Sequence, residues 1–329
     1  MLSSIRCYLL PVFKLYLLGL KVLLVQLFGR SFRLPVMPRQ DGKVAIVTGG
    51  VRGIGYEVVR HMVKLGAHVF IGTVPNITDS QSGQDARKAR WQENGKKIEF
   101  RKLDLASLQS VRQFVQSFKE RDLPLNILVN NAGVMLVPEG RTEDGFEQHL
   151  GVNYLGHCLL TWLLLDRLKD SGKCGHFSRV VSVSSSAHRI GKIRLNDLNS
   201  CQWYSAHAAY CQSKLALLLF SSHLHQELQR GGFPVSSFAV DPGMVDTALY
   251  QYLWTPLRLA QSTIARFLFK TPAEGAATVL YAALSPALEG ECEGGYWANG
   301  CREMTTPVTF DPELQLSLWE TSLRLVGLQ

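Results

Sequence analysis

Tyr210 and Lys214 are the pair of side chains in this sequence best suited to moving a proton. They are four residues apart, so a helix places them on one face and one turn from each other. A free phenol has a pKa of about 10, which is too high for an efficient base near neutral pH. We expect the Lys214 cation to favour the phenolate and to lower the pKa of Tyr210. The pair therefore predicts acid–base chemistry on a hydroxyl or carbonyl group.

Two further sequence features support a functional role for Tyr210 and Lys214. The chain has ten tyrosines, and Tyr210 alone is followed four residues later by lysine; nearby Tyr204 has Ala208 at that position. Ser185 lies 25 residues before Tyr210, at the end of an apolar run. A serine hydroxyl there can hydrogen-bond a substrate oxygen and stabilise its developing charge, although a serine that only ends a strand is the alternative.

A glycine-rich loop supplies a second kind of chemistry. The run KVAIVT (residues 43–48) leads directly into TGGVRGIG (residues 48–55), so Gly49, Gly53 and Gly55 fall at a strand-to-helix turn. Their missing side chains let the backbone approach a pyrophosphate, and the helix start supplies N–H donors and a positive dipole. The loop therefore predicts a dinucleotide site, with a tight turn that binds nothing as the alternative.

Alternating strand and helix patterns must position these residues. Short apolar runs predict strands over residues 43–48, 68–72, 97–103, 125–130, 178–184 and 235–240. Helical patterns predict helices over 58–65, 80–93, 107–120, 143–170 and 206–230, with a polar loop over 74–86. Continuous apolar strands separated by helices indicate a parallel, doubly wound sheet that is covered on both faces.

The N-terminal segment differs from this pattern. Residues 7–28 are apolar and long enough to cross a bilayer, interrupted only by Lys14 and Lys21, which share one helix face. A spanning helix and an interfacial helix both fit, because lysines can reach the headgroups in either case. A cleaved signal that leads to secretion is a third interpretation, but no small-residue cleavage site follows the run.

Charge and cysteine content exclude several classes of protein. Residues 1–43 hold seven basic residues against one acid, which leaves only +2 of the net charge of +8 for the other 286 residues. We therefore expect no nucleic-acid-binding face, and the basic residues after the apolar run predict a body that faces the cytosol. The seven cysteines and nine histidines show no zinc-type spacing, so we expect free thiols and no metal site.

The motifs together resemble those of the short-chain dehydrogenase/reductase family, and within it the retinol dehydrogenase-like branch. The matches run in order over about residues 43–300: TGGVRGIG, KLDLAS, NNAG at residues 130–133, GVNYLGH, VSVSSSAH, YCQSKLA and Pro242-Gly243. With this resemblance we predict one doubly wound α/β Rossmann domain with a mostly parallel, seven-stranded sheet, plus an N-terminal hydrophobic helix. We divide the chain into a membrane anchor with a basic linker (residues 1–40) and a catalytic domain (residues 41–329).

The resemblance also implies site residues. Tyr210, Lys214, Ser185 and Asn153 match the family's catalytic residues, with Lys214 also holding the nicotinamide ribose and Asn153 holding a water that connects Lys214 to solvent. An asparagine that only bonds backbone inside a helix is the alternative for Asn153. The residues assigned to cofactor binding are Thr48, Gly49, Arg52, Gly53, Ile54, Gly55, Thr73, Asp104, Leu105, Asn131, Ala132, Gly133, Tyr210, Lys214, Pro242, Gly243, Val245 and Thr247.

The cofactor is expected to be NAD, NADP or both. An acid at the end of the second strand favours NAD, and an arginine shortly after it favours NADP. Thr73 and Val74 occupy these positions, so both discriminating residues are missing. Arg52, inside the glycine loop, could still meet a 2′-phosphate.

The substrate is expected to be a lipophilic alcohol or aldehyde. The segment over residues 248–270 is apolar, with Tyr250, Tyr252, Leu253, Trp254, Leu257 and Phe267 as candidates for lining a lid or touching a membrane. Ordinary core helices are the alternative. With the anchor, the lid favours an isoprenoid, a retinoid or a steroid. Among these, the resemblance implies a long-chain isoprenoid of the polyprenol or dolichol type, with a retinoid or steroid as the second choice. A non-catalytic cofactor-binding or secreted regulatory protein is the alternative from another class.

We also predict where the protein acts. The expected partners are the lipophilic substrate and the surface of the endoplasmic reticulum membrane or a lipid droplet. Family members often pair through the helices near residues 143–170 and 206–230, so a homodimer is possible on the same resemblance.

Overall fold

The computed structural model describes residues 2–74, 98–252, 265, 268–289 and 294–329, with side chains from residue 9 onward. The α-helices in these ranges are α1 Leu2–Phe28, α2 Gly53–Lys64, α3 Leu108–Lys119, α4 Gly156–Leu163, α5 Leu165–Ser171, α6 Ala206–Arg230, α7 Pro272–Leu284 and α8 Pro312–Leu325. The strands are β1 Val44–Thr48, β2 His68–Thr73, β3 Ile98–Lys102, β4 Ile127–Asn130, β5 Ser178–Val183, β6 Val235–Asp241, β7 Tyr296–Ala298 and β8 Cys301–Glu303. The helix predicted near residues 80–93, and most of the loop predicted over 74–86, lie outside the described residues.

The strands form one sheet in the order β3-β2-β1-β4-β5-β6-β7-β8. All neighbouring strands are parallel except β7 and β8, which are antiparallel. The chain winds outward from β1 in both directions, so β1 and β4 flank the point where the strand order reverses. Ligands of such sheets bind at the carboxyl ends of the strands beside this point. The predicted doubly wound, mostly parallel sheet is confirmed.

The number of strands differs from the prediction, which was seven. The described part of the sheet has eight, because β7 is followed at once by β8. Asn299 and Gly300 connect them, and both have positive φ values of 48° and 73°. An Asn-Gly pair with this backbone is the preferred two-residue hairpin turn. Strands of three residues are too short to show alternating apolar and polar positions. The Asn-Gly pair was therefore the sequence feature that could have predicted this hairpin.

Two apolar layers cover the sheet. Along β1, Ile46 faces a layer that includes Phe220 of α6, whereas Val47 faces a layer that includes Met62 of α2 and Val279 of α7. Each of these side chains is almost fully buried, and burying one contributes about 1.5–3 kcal/mol. The two layers hold the carboxyl ends of the strands in fixed positions, which is what a site at that edge requires.

The long helix predicted near residues 143–170 is wrong in detail. Residues before the helix form a turn in which Gly145 has a φ of 82° and the Thr142 hydroxyl accepts the Phe146 N–H. The helical part then begins with a π-helical turn, Leu150–Leu155, and continues as α4 and α5, which are separate helices. Local hydrogen bonding thus overrides the helical periodicity. The π-helical turn carries Asn153, and such turns occur frequently at functional sites.

Candidate active site

Tyr210, Ser185 and Lys214 lie together at the carboxyl end of β5. Tyr210 is buried in the second turn of α6, and its hydroxyl hydrogen-bonds Ser185, which directly precedes a 3₁₀ helix, Ser186–Ile190. Lys214 follows one turn later, and its Nζ lies 5.9 Å from the centroid of the Tyr210 ring. The Lys214 Nζ donates to the Val183 carbonyl oxygen over 2.9 Å. The structure therefore brings together three of the proposed site residues, two from one helix and one from the end of a strand.

Burial is the main influence on the pKa values of Tyr210 and Lys214. Burial raises the pKa of Tyr210, with the Ser185 hydrogen bond opposing it, and burial lowers the pKa of Lys214 to about 8, with Asp241 opposing it. We predicted that Lys214 lowers the pKa of Tyr210. Among the described groups, Lys214 does not contribute to the pKa of Tyr210, which is raised. The physical reason is that the Lys214 Nζ points to the Val183 carbonyl, and loss of hydration outweighs the remaining effects.

Asn153 fixes the backbone beside Lys214. Its Oδ1 accepts the Val134 N–H over 2.8 Å, and its Nδ2 donates to the Val134 carbonyl and the Ser213 hydroxyl, each over 3.0 Å. A Cβ added to Gly133 would lie 3.2 Å from the Asn153 Oδ1 and 3.6 Å from the Lys214 Nζ. Asn153 therefore bonds backbone groups, as the alternative interpretation of this residue expected. The same contacts also place Asn153 next to Lys214.

The glycine loop has the shape of a cradle for a phosphate group. Gly53 begins α2 with a φ of 56°, a conformation that side chains other than glycine rarely adopt. A Cβ added to Gly55 would lie 2.4 Å from the Gly49 carbonyl oxygen, so only glycine allows this close turn. The residue before α2, Arg52, makes no side-chain cap, which leaves the first N–H groups of the helix for an anion. Gly49, Arg52, Gly53, Ile54 and Gly55 all line one cavity.

The predicted cofactor-binding residues at the ends of β1 and β4 have two roles: some connect the two strands, and some line the cavity. The buried Thr48 hydroxyl accepts the N–H groups of Asn131 and Ala132, each over 2.9 Å, and the Asn131 Nδ2 donates to the Thr48 carbonyl over 2.8 Å. These bonds tie the ends of β1 and β4 together. Asn131, Ala132 and Gly133 line the cavity, whereas Thr48 lies behind it.

Three other predicted residues lie on the same edge of the sheet but outside the cavity lining. Thr73 ends β2, and its hydroxyl donates to the Val74 carbonyl over 3.4 Å. The Asp104 carboxylate accepts the Ala106 N–H over 2.9 Å, and the Leu105 side chain is buried in the core. Leu105 therefore contributes packing, and its assignment to cofactor binding has no side-chain contact to support it here.

The loop after β6 closes the cavity from the other side. Pro242, Gly243, Val245 and Thr247 all line it, together with Tyr210 and Lys214. A Cβ added to Gly53 would lie 3.2 Å from the Thr247 Cγ2, so this loop packs against the glycine loop.

Asp241 is a buried carboxylate that sequence reasoning missed. Its Oδ2 accepts the Tyr296 hydroxyl over 2.8 Å and also the Ser186 hydroxyl, and its Oδ1 accepts the Gly243 N–H over 2.8 Å. Its negative charge raises the pKa of Lys214 against the effect of burial. An acid at the end of an otherwise uncharged, buried strand was the signal that could have found it.

The cavity has a volume of about 810 Å³ and a mostly apolar lining. Tyr250, within the 3₁₀ helix Ala248–Tyr252, packs against Phe269 with the rings tilted by 59° and their centroids 5.4 Å apart. Tyr250, Tyr252 and Phe269 line the cavity beside Met135 and Leu136. The other predicted lid residues, Leu253, Trp254, Leu257 and Phe267, lie outside the described residues. A cavity of this size accepts a ligand of drug-like dimensions.

Comparison with known proteins gives consistent results. The family model of the short-chain dehydrogenases matches residues 43–257. The polyprenol dehydrogenase of Danio rerio is 55% identical over 317 residues, which cover 96% of each chain. Retinol dehydrogenase 12 of Homo sapiens is 42% identical, covering 88% of this chain and 87% of that one. The crystal structure of an uncharacterized protein from Mycobacterium paratuberculosis superposes with a TM-score of 0.70 at 30% identity, covering 91% of this chain and 98% of that one.

Proposed function

We propose a function from one premise, that the chain belongs to the short-chain dehydrogenase family, whose model matches more than half of it. The protein is an NAD(P)-dependent oxidoreductase that acts on the alcohol or aldehyde group of a lipophilic substrate. As its preferred substrate we propose a long-chain isoprenoid alcohol of the polyprenol or dolichol type, or the corresponding aldehyde. The observation that carries this proposal is the apolar cavity in which the Tyr210 hydroxyl meets Ser185.

Tyr210 and Ser185 would handle the proton and the substrate oxygen. In alcohol oxidation, Ser185 hydrogen-bonds the oxygen while Tyr210 accepts its proton, and in aldehyde reduction Tyr210 returns it. A bound nicotinamide supplies the hydride exchange with the substrate carbon. The raised pKa keeps Tyr210 protonated, which suits donation to an aldehyde. When Tyr210 accepts a proton from the alcohol, a nearby positive charge must stabilise the phenolate. Among the four proposed catalytic residues, Lys214 supplies this charge.

The glycine loop and its neighbours would hold the dinucleotide. Gly49, Gly53 and Gly55 allow the tight turn that lines the cavity where a pyrophosphate would lie, and Gly133, Val245 and Thr247 face the same cavity. We propose use of NAD, NADP or both, because Thr73 and Val74 carry neither an acid nor an arginine. Arg52 lines the cavity without a side-chain cap and is the candidate for a 2′-phosphate.

The proposed substrate is supported by the relatives and by the lining. The relative from Danio rerio, named for polyprenol, matches 96% of this chain. A retinoid is the second candidate, supported by the 42% identity to retinol dehydrogenase 12 of Homo sapiens. The cavity of about 810 Å³ would also hold the dinucleotide, so only the functional end of a long isoprenoid chain would enter it.

One assay distinguishes these candidates. The full-length protein in membranes is supplied with polyprenol, retinol or a steroid alcohol and with NAD⁺ or NADP⁺, and formation of the reduced cofactor is measured. We expect the highest kcat/KM for polyprenol. Higher values for retinol or steroid would overturn the substrate, and bound cofactor without turnover of any alcohol would favour a cofactor-binding regulatory protein.

We propose membrane attachment through α1, at the endoplasmic reticulum or a lipid droplet, with the catalytic domain facing the cytosol. Residues Leu9–Phe28 of α1 are long and apolar enough to cross a bilayer. This keeps the proposed division into an anchor with linker (residues 1–40) and a catalytic domain (residues 41–329). We also propose a homodimer through the helices near residues 143–170 and 206–230. On this part of the surface, Trp319 of α8 packs on Trp162 of α4 and on Phe220 of α6.

A further inference from the structure

The inner face of α1 is part of the wall of the substrate cavity. Leu15, Leu18, Gly19, Val22 and Leu23 line the same cavity as Tyr210 and Lys214. These positions recur three or four residues apart, so they form one face of the helix. Leu15 also packs against the small apolar cluster that contains Tyr210. A segment that served only as a membrane tether would not need to contact the cavity that contains Tyr210.

Gln26 fixes this face to the catalytic body. Its Nε2 donates to the Met244 carbonyl over 3.1 Å, and its Oε1 accepts the Met244 N–H over 3.1 Å. A Cβ added to Gly243 would lie 2.8 Å from the Gln26 Oε1, so the approach depends on a glycine at that position. The amide group of Gln26 thus has partners on the loop that closes the cavity.

The outer face of α1 is apolar and exposed. Phe13, Leu17 and Leu24 are 64%, 54% and 46% exposed, and Leu9 and Leu27 continue the same stripe. A continuous stripe of this kind is typical of a surface that contacts lipid. Lys14 and Lys21 are exposed at its edge, where their ammonium groups can reach headgroups.

We propose that α1 lies in the membrane surface and forms the wall between the bilayer and the substrate cavity. The isoprenoid chain of the substrate lies along the inner face, near Gly19, and its tail continues into the lipid that the outer face contacts. A spanning orientation would carry Leu15 and Leu18 away from the body and out of the cavity. This inference rests on the proposed function and specifies how a membrane-dissolved substrate reaches Tyr210.

Gly19 provides a direct probe of this wall. A Cβ added there would meet no atom within 4 Å, so the space directly beside Gly19 is open to a side chain. Gly19→Leu also favours the helix and preserves its apolar character. Leu27→Phe is the matched control, because it adds apolar bulk on the exposed face, outside the cavity lining.

The experiment uses the full-length protein in phosphatidylcholine vesicles, with a long-chain polyprenol and geraniol as substrates. We expect Gly19→Leu to lower kcat/KM for polyprenol by about tenfold or more, the effect of misfitting groups in an apolar pocket, and to leave geraniol turnover within about twofold. Leu27→Phe should match the wild type for both substrates.

The outcomes separate this inference from the proposed function. Wild-type rates on polyprenol with Gly19→Leu would overturn the role of α1 and leave the proposed substrate intact. Equal losses on polyprenol and geraniol would also overturn it, because they indicate a general effect on folding or catalysis. A wild-type protein that turns over geraniol but no polyprenol would overturn the proposed function and, with it, this inference.

Discussion

Replacing Tyr210 by phenylalanine should separate catalysis from folding and cofactor binding. The substitution removes one buried hydroxyl, whose described partner is Ser185, and leaves the ring in its packing. A lost hydrogen bond costs about 0.5–1.5 kcal/mol, and the lost burial of the hydroxyl offsets part of this. The free energy of unfolding should therefore change by about 1 kcal/mol or less, and Tm by about 2 °C.

The expected loss of turnover is much larger. A positioned acid or base contributes about a hundredfold to ten-thousandfold in rate, and Tyr210 is the proton-transferring group of the proposed mechanism. We expect kcat for the alcohol to fall by that factor, measured from the absorbance of the reduced cofactor, while the Kd of the cofactor, measured by fluorescence titration, stays within about threefold.

Tyr204→Phe is the matched control for this variant. Its hydroxyl donates to the Val137 carbonyl over 2.9 Å, and it does not line the cavity. The control loses one tyrosine hydroxyl six residues before Tyr210 in the sequence and should retain wild-type turnover. Retention of more than about one-tenth of the wild-type kcat by Tyr210→Phe would refute the assignment, since such a loss is below the usual contribution of acid–base catalysis. Equal losses in both variants would do the same.

Three further predictions concern the cofactor, acid stability and the membrane. Thr73→Asp should weaken NADP relative to NAD by about tenfold, because a carboxylate repels a 2′-phosphate; unchanged Kd values for both would place Thr73 away from the ribose. Burial lowers the pKa of His157 from 6.5 to about 4, so the unfolded chain binds more protons between these values and stability falls as pH drops through them. His157→Gln should flatten this fall in urea unfolding, and an identical pH slope would contradict it. Deletion of residues 1–33 should move the protein from the membrane pellet to the supernatant, and continued pelleting would exclude α1 as the membrane contact.

The parts of the fold that sequence predicts best are those with local signals. The helix predicted over residues 206–230 has the same bounds as α6, because Ser205 caps its start and a long buried face sustains it. The four-residue spacing of Tyr210 and Lys214 likewise puts both side chains on one face of this helix, which is a short-range pattern. That Ser185 and Asn153 lie beside them depends on the fold.

The remaining features depend on contacts between distant segments. The π-helical turn at Asn153 differs from an α-helix only in hydrogen-bond register, which side-chain periodicity does not report. Asp241 matters because Ser186 and Tyr296 converge on it, and the sequence separates both from it by 55 residues. The inner face of α1 is equally hidden, because Lys14 and Lys21 mark one side of the helix and its remaining positions are mostly apolar, so the pattern does not say which apolar side meets the body.

The bonds of Gln26 to Met244 have a consequence for how the protein is made. The two residues are 218 positions apart, so the contact closes a very long loop. A growing chain exposes α1 to lipid long before the surface that receives it has been synthesised, and domains form as their residues become available. Biogenesis therefore runs from an early lipid-bound helix to a late docking step, and the cavity gains its last wall only when the body folds against the membrane that will deliver its substrate.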